Sequence, residues 1–242
     1  MNPVVILGLF FLAVVSGMLG LGVAFAAVPF LSLFLPDLVH QVQPLSLLLN
    51  GVTALFAVFG FAQSRLVDWR KALLLALVTT TFAPVGAWLV QRVEVRYVWW
   101  IYLGAVVYLA YNLFRPVSGK TSRENFPLAL LLAAPISVLS GFLGVGPGFL
   151  LMPTLILTGH DPKRAAAINA FAVTPPSFSS LLPHIATARL DLGLTLSLVV
   201  AGALGSYLGS RLTSLYLPSQ RLKQLFGVLI LLVTLYKVLS QV

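Results

Sequence analysis

The sequence predicts an all-α polytopic membrane protein of two inverted repeats, each a glycine-broken helical hairpin followed by three transmembrane helices. Three observations carry that prediction. The composition is too apolar and too poor in charge for a water-soluble chain. A sixteen-residue motif beginning at Ser16, SGMLGLGVAFAAVPFL, returns at Ser140 as SGFLGVGPGFLLMPTL, with eight positions identical. The basic residues fall into loops whose sidedness makes sense only if the second half is turned over relative to the first.

Of 242 residues, 59% are hydrophobic and 9% charged, with mean hydropathy +1.00. A soluble domain carries about a quarter charged residues. The absence of cysteine excludes disulfides, thiolate metal sites, iron–sulfur clusters and cysteine nucleophiles. The net charge of +9 does not point to nucleic acid. A nucleic-acid face gathers basic residues on one soluble surface, whereas here they stand singly or in pairs between apolar runs, as in basic cytoplasmic loops. Ala24 and Ala26 resemble a signal-peptide cleavage site, but the first basic residue is Arg65, and signal peptides open with a positive region. The return of the motif at Ser140 also places its first copy in the mature fold.

Apolar runs between charged or turn-rich breaks fall at 3–19, 22–35, 44–62, 70–91 and 96–114 in the first half. In the second they fall at 127–144, 147–158, 165–185, 192–211 and 221–240. Crossing a bilayer as a helix takes about 20 apolar residues. The last three runs of each half reach that length. The 22–35 run covers only about 20 Å at about 1.5 Å per residue. Asp68 and Asp191, Gly86 and Gly209, and Gly104 and Gly227 also correspond. The chain thus divides into a first membrane repeat over 1–115, a polar cytoplasmic linker over 116–126 and a second membrane repeat over 127–242.

If each short pair of runs were a single broken span, the halves would run parallel and the basic residues would divide eight to seven between the two sides. If each pair is a hairpin that enters and leaves on one side, the halves are inverted. Eleven basic residues then lie inside, and only Arg92, Arg96, Arg189 and Lys237 lie outside. The second arrangement obeys the positive-inside rule and puts both termini outside. Re-entrant and fully crossing hairpins have the same parity, so the count does not choose between them.

Non-helical backbone survives at membrane depth only where it lines a cavity or is buried in protein. Broken helices at matching places in inverted halves point to a transporter's binding site. Helices starting near Gly22 and Gly146 would aim unpaired N–H groups and positive dipole ends at the midplane, which suits an anion. Pro147 fits a first helical turn, and Pro29 and Pro153 keep the half-helices short or kinked. Gly20, Gly22 and the backbone of Val23, with Gly144, Gly146 and Gly148, are the backbone candidates for substrate binding. The first half carries Val23 and Ala24 where the second has Pro147 and Gly148, which predicts an asymmetric site. The alternative is that the glycines only let helices pack closely; the paired occurrence at two helix breaks favours a site.

Every Asp, Glu, Lys and Arg falls in or beside a loop, so a ligand would be held by backbone N–H groups, hydroxyls and amides. Neutral polar residues gather in the helix after each hairpin: Ser46, Asn50 and Thr53, then Asn169, Thr174 and Ser177. Ser46, Asn50, Asn169 and Thr174 are the side-chain candidates, with interhelical hydrogen bonding as the alternative. Pro175 and Pro176 are expected to interrupt the helix that carries them. His184 reads as an interfacial histidine, Tyr97–Trp100 as an interface belt, and Thr79–Thr81 as either pore-lining or back-bonded.

The two glycine motifs, together with VDW from Val67 and AAAIN ending at Asn169, resemble the TauE/SafE sulfite exporter (toluenesulfonate uptake permease) family over nearly the whole chain. That resemblance implies transport of sulfite, sulfoacetate or a related sulfonate across the bacterial cytoplasmic membrane. The residues themselves reach only a small anion. With three scattered histidines and no carboxylate in a span, no catalytic residue, metal site or cofactor is expected. The expected partners are the small anionic substrate and the lipid bilayer, without nucleic acid, and a homo-oligomer is left open. Export is favoured because no residue is evident for a coupling cation. An anion channel and a cation-coupled importer remain as alternatives, and a scaffold subunit ranks last.

Overall fold

The computed structural model describes residues 3–89, 104, 124–143, 146–185, 187–222, 224–225 and 228. The predicted runs 96–114 and 221–240, with Tyr97–Trp100, fall almost wholly outside them. Among the described residues eight α-helices follow in order: α1 (Pro3–Leu19), α2 (Ala24–Leu31), α3 (Gln43–Gln63), α4 (Trp69–Leu89), α5 (Phe126–Leu143), α6 (Gly148–Leu157), α7 (Pro162–Ile185) and α8 (Leu192–Leu215). A single π-helical turn, Leu38–Val42, leads into α3. No strand occurs among the described residues.

The segments His40–Gln63 and Leu192–Leu215 are long and apolar enough to cross a membrane. Helices α4 and α7 have 21 and 24 residues, or about 31–36 Å. They are less apolar because Arg70 and Lys71 open one and Lys163 and Arg164 open the other. Large side chains such as Leu7, Phe11, Leu77, Leu131 and Leu196 project outward and exposed, a belt that water would not tolerate and lipid would.

Two ends of the bundle are defined by contacts. At one, the Arg189 N–H donates to the His40 carbonyl at 2.8 Å. At the other, Lys71 pairs with Glu124, the Asn125 N–H donates to the Thr158 carbonyl at 2.8 Å, and Ser219 donates to Asp161 at 2.7 Å. The first hairpin belongs to the His40 end. Helix α1 runs alongside α8, with Thr213 near the α8 C-terminus donating to the Met18 carbonyl at 2.9 Å. Helix α2 then turns back so that the Phe30 ring covers Gly8. The second hairpin, α5 with α6, enters and leaves at the Lys71 end. Helices α3 and α7 pack together in the middle and run in opposite directions.

The two halves interleave. A Cβ at Gly17 of α1 would lie 2.2 Å from the Ser206 carbonyl oxygen of α8, and one at Gly141 of α5 would lie 2.0 Å from the Ala83 carbonyl oxygen of α4. Gly17 and Gly141 are matching motif positions, so the same backbone-on-backbone contact is made twice, each time between halves. Small residues let helices approach this closely in a membrane, where apolar burial alone gives no preference for protein over lipid.

Helix α7 is continuous through Pro175 and Pro176, contrary to the expected interruption. Pro176 cannot donate to the Ala172 carbonyl four residues back. The Thr79 hydroxyl of α4 donates to that carbonyl instead, at 2.8 Å. A neighbouring helix thus supplies the missing hydrogen bond. Pro29 and Pro153 lie inside the short helices α2 and α6.

Candidate functional site

The first break is built by two glycines in the left-handed region. After α1 ends at Leu19, Gly20 has φ +63° and Gly22 φ +70°, conformations open to glycine at little cost. The Leu21 N–H turns back to the Ser16 carbonyl at 3.1 Å, and the Ser16 hydroxyl donates to the Gly22 carbonyl. A serine opens each motif copy, Ser16 and Ser140, and the role of Ser16 here is to close the broken backbone.

The N–H groups expected to be unpaired at the start of α2 are capped. The Val23 N–H donates to Thr53 Oγ1 at 3.2 Å and the Ala24 N–H to Asn50 Oδ1 at 2.8 Å. These acceptors complete the helix start as side-chain caps do, but they come from α3. A Cβ on Gly22 would sit 2.2 Å from Asn50 Oδ1, so the glycine is what admits the amide. Asn50 Nδ2 donates across to Ser177 Oγ of α7 at 2.8 Å, and that hydroxyl donates to the Val173 carbonyl at 2.6 Å.

Asn169 joins the two breaks. Its Nδ2 donates to the Gly20 carbonyl at 2.7 Å and to the Gly148 carbonyl at 3.3 Å. Pro147, with φ −65°, precedes α6. Positions for a Cβ on Gly146 and Gly148 lie 2.9 Å from Asn50 Nδ2 and 3.0 Å from Asn169 Nδ2. The motif-equivalent rings Phe25 and Phe149 stack at 5.8 Å. Gly20, Gly22, Val23, Asn50, Gly146, Gly148 and Asn169 thus meet at one buried crossing. Gly144 lies outside the described residues. Thr174 is bonded to its own helix, donating to the Ala170 carbonyl at 2.9 Å. Ser46 is buried one turn before Asn50, its hydroxyl oxygen without a hydrogen-bond partner among the described residues.

No described charged side chain reaches this crossing. Asn169 Oδ1 is also buried without a partner among the described residues. The amide's orientation is fixed, because turning it over would set oxygen against the Gly20 carbonyl oxygen. Leaving such an acceptor unpaired costs about 1–3 kcal/mol. The crossing therefore gathers amides and hydroxyls bonded within the protein, the capped start of α2 and the start of α6, with Asn169 Oδ1 and the Ser46 hydroxyl left over among the described residues, a polar setting for a small polar species. A groove of about 490 Å³ between α1 and α8, lined by Ile6, Leu7, Phe10, Leu196 and Val200 among others, is too apolar for that purpose.

Described charges lie at the ends. Arg65, Arg70, Lys71, Lys163, Arg164, Arg211 and Arg221 are at the Lys71 end and Arg189 is at the other. Lys71 bonds Glu124, lies 3.6 Å from Asp68 and stands 5.8 Å from the Phe126 ring centroid. The hydrogen bond from Lys71 holds the Glu124 carboxyl below its ordinary range. Burial, with repulsion from Lys71, pushes the His160 imidazole down. The side chain of His184 lies outside the described residues.

The model of the family described as sulfite exporter TauE/SafE matches residues 5–237. The chain belongs to the TauE/SafE family. Relatives of this TauE/SafE chain include a protein named a probable membrane transporter in Methanocaldococcus jannaschii, 22% identical over 194 residues that cover 76% of this chain and 72% of that one. Proteins of the same name from two Xylella fastidiosa strains, 9a5c and Temecula1, are 26% and 28% identical, each over 70% of this chain and 69% of their own. No solved structure matches this TauE/SafE chain.

Proposed function

We propose that this protein is a secondary transporter, not an enzyme, that moves a small organosulfur anion (sulfite, sulfoacetate or a related sulfonate) across the bacterial cytoplasmic membrane, as an exporter working by alternating access. The observation that carries the reading is the crossing itself. Two broken helices, entering from opposite ends, meet at a buried, uncharged site between Asn50 and Asn169. Family membership and the names of the relatives support transport as the activity. The opposite directions of α3 and α7 support two inverted repeats, 1–115 and 127–242, joined by the linker 116–126. The basic residues at the Lys71 end support a multi-pass topology with that end cytoplasmic.

In this mechanism Asn50 Oδ1 stands where an oxygen of the anion would sit. An arriving oxyanion takes over the N–H groups at the start of α2, and the displaced amide turns its Nδ2 donors to the ligand. The moving bodies are not the sequence halves, because the close contacts of α1 with α8 and of α5 with α4 tie the halves together. One body holds α1, α3 and α8, the other α4, α5 and α7, and they part along the α3–α7 interface. Export of one negative charge from an inside-negative cell is downhill by about 2.3 kcal/mol per 100 mV, so no proton or cation site is needed.

The test is sulfite flux into liposomes carrying the purified protein at clamped potential, with chloride as control. Saturable, potential-driven sulfite movement without chloride leak is expected. Unsaturable flux of every anion would replace the transporter with a channel.

A further inference from the structure

Asn169 faces the crossing with its two polar atoms in different states. Its Nδ2 is committed to the Gly20 and Gly148 carbonyls, at 2.7 and 3.3 Å. Its Oδ1 is fully buried and has no partner among the described residues. With the Asn50 amide displaced from its bonds to the Ala24 N–H and Ser177, the rest of the crossing is suited to negative charge: the starts of α2 and α6, and the Asn50 amide N–H beside Gly146. An anion that only accepts hydrogen bonds would leave Oδ1 unpaired, or set oxygen against oxygen. An anion that also donates would satisfy both sides of the site at once.

We propose that the crossing selects a singly charged oxyanion still carrying a proton, such as hydrogen sulfite, which donates its O–H to Asn169 Oδ1 while its remaining oxygens accept from the N–H groups of the breaks. The inference rests on the transport reading and narrows it. It sets hydrogen sulfite apart from the sulfite dianion, which carries a second charge and no donor. It also sets it apart from an alkyl sulfonate, which matches the charge and the three-oxygen head but has no proton. A site built around a hydrogen-bonding group of its ligand rejects analogues that lack the group more strongly than an apolar pocket rejects a missing methylene.

The experiment uses the full chain in liposomes, with protein-free liposomes subtracted at each pH. Flux is measured while pH and total sulfite are varied together, first at constant hydrogen sulfite and then at constant dianion, and methanesulfonate is offered as competitor. Expected is a rate that follows hydrogen sulfite alone, with methanesulfonate competing at least about tenfold more weakly. Asn169→Ala, checked for a monodisperse folded species, is expected to lose that discrimination. A rate that follows the dianion, or equal competition by methanesulfonate in the wild-type protein, would overturn the inference and leave anion transport standing. Absence of saturable flux for sulfite and methanesulfonate alike would remove the transport reading, and this inference with it.

Discussion

At Gly22 two separate demands exclude a side chain: the backbone sits at φ +70°, and the space a methyl would take lies 2.2 Å from Asn50 Oδ1. Holding an L-residue there costs about 1–3 kcal/mol from the backbone alone, before the amide is pushed off the Ala24 N–H. Gly22→Ala is therefore expected to lower thermal stability and to remove sulfite flux, whereas Gly104→Ala, with nothing within 4 Å of its Cβ, leaves both unchanged. Equal flux in the two variants would show that the break is only a packing device. The glycines were legible in the sequence because the motif recurs at a fixed spacing. The caps were not: Thr53 and Asn50 reach α2 from another helix, a relation that spacing along the chain does not encode. Ser16 was visible as a repeated motif residue, but its bond to the Gly22 carbonyl depends on the reversal of the chain between them.

At the scale of the helix, α7 shows why a proline pair did not read correctly from sequence. Local rules stop a helix there, yet Thr79 satisfies the carbonyl that Pro176 leaves open. Thr79→Val leaves the Ala172 carbonyl unpaired in the protein interior and is expected to cost about 1–3 kcal/mol, read as a fall in the unfolding temperature. An unchanged unfolding temperature would mean that the carbonyl is satisfied without Thr79. The loops at the Lys71 end make a pH prediction. His160 binds protons less readily folded than unfolded, so its contribution to stability is complete above the ordinary value of 6.5 and is lost as pH falls below it. Glu124, also lowered, adds a second loss below its ordinary 4.5. The unfolding temperature should thus decline on mild acidification, and His160→Gln should flatten the first part of that decline. A slope unchanged by the substitution would contradict the assignment.

At the scale of the molecule, the positions of the basic residues in the sequence are what led to the proposal of hairpins entering from opposite ends. The interleaving did not follow. It depends on Gly17 meeting Ser206 and Gly141 meeting Ala83, contacts between sequence halves that no local pattern reports. The consequence for motion is testable because the chain has no native cysteine. A short thiol cross-linker joining Gln63→Cys to Tyr207→Cys, whose native side chains meet at 3.1 Å within one proposed body, should leave flux intact. Joining Gly51→Cys to Phe178→Cys, across the α3–α7 interface, should stop it. Flux surviving the second link would mean that the bodies part elsewhere.

The most direct test of the central claim, that Asn50 holds the anion's place at the start of α2, is sulfite flux through Asn50→Asp at clamped potential. The substitution keeps an acceptor for the Ala24 N–H and nearly the same shape, but where ionised it puts a fixed negative charge in the anion's position. Expected is a folded protein of lower thermal stability, since the donor to Ser177 is lost, with flux lost, most completely at higher pH, where the buried carboxyl ionises. Wild-type flux at every pH would contradict it and place the substrate away from the crossing.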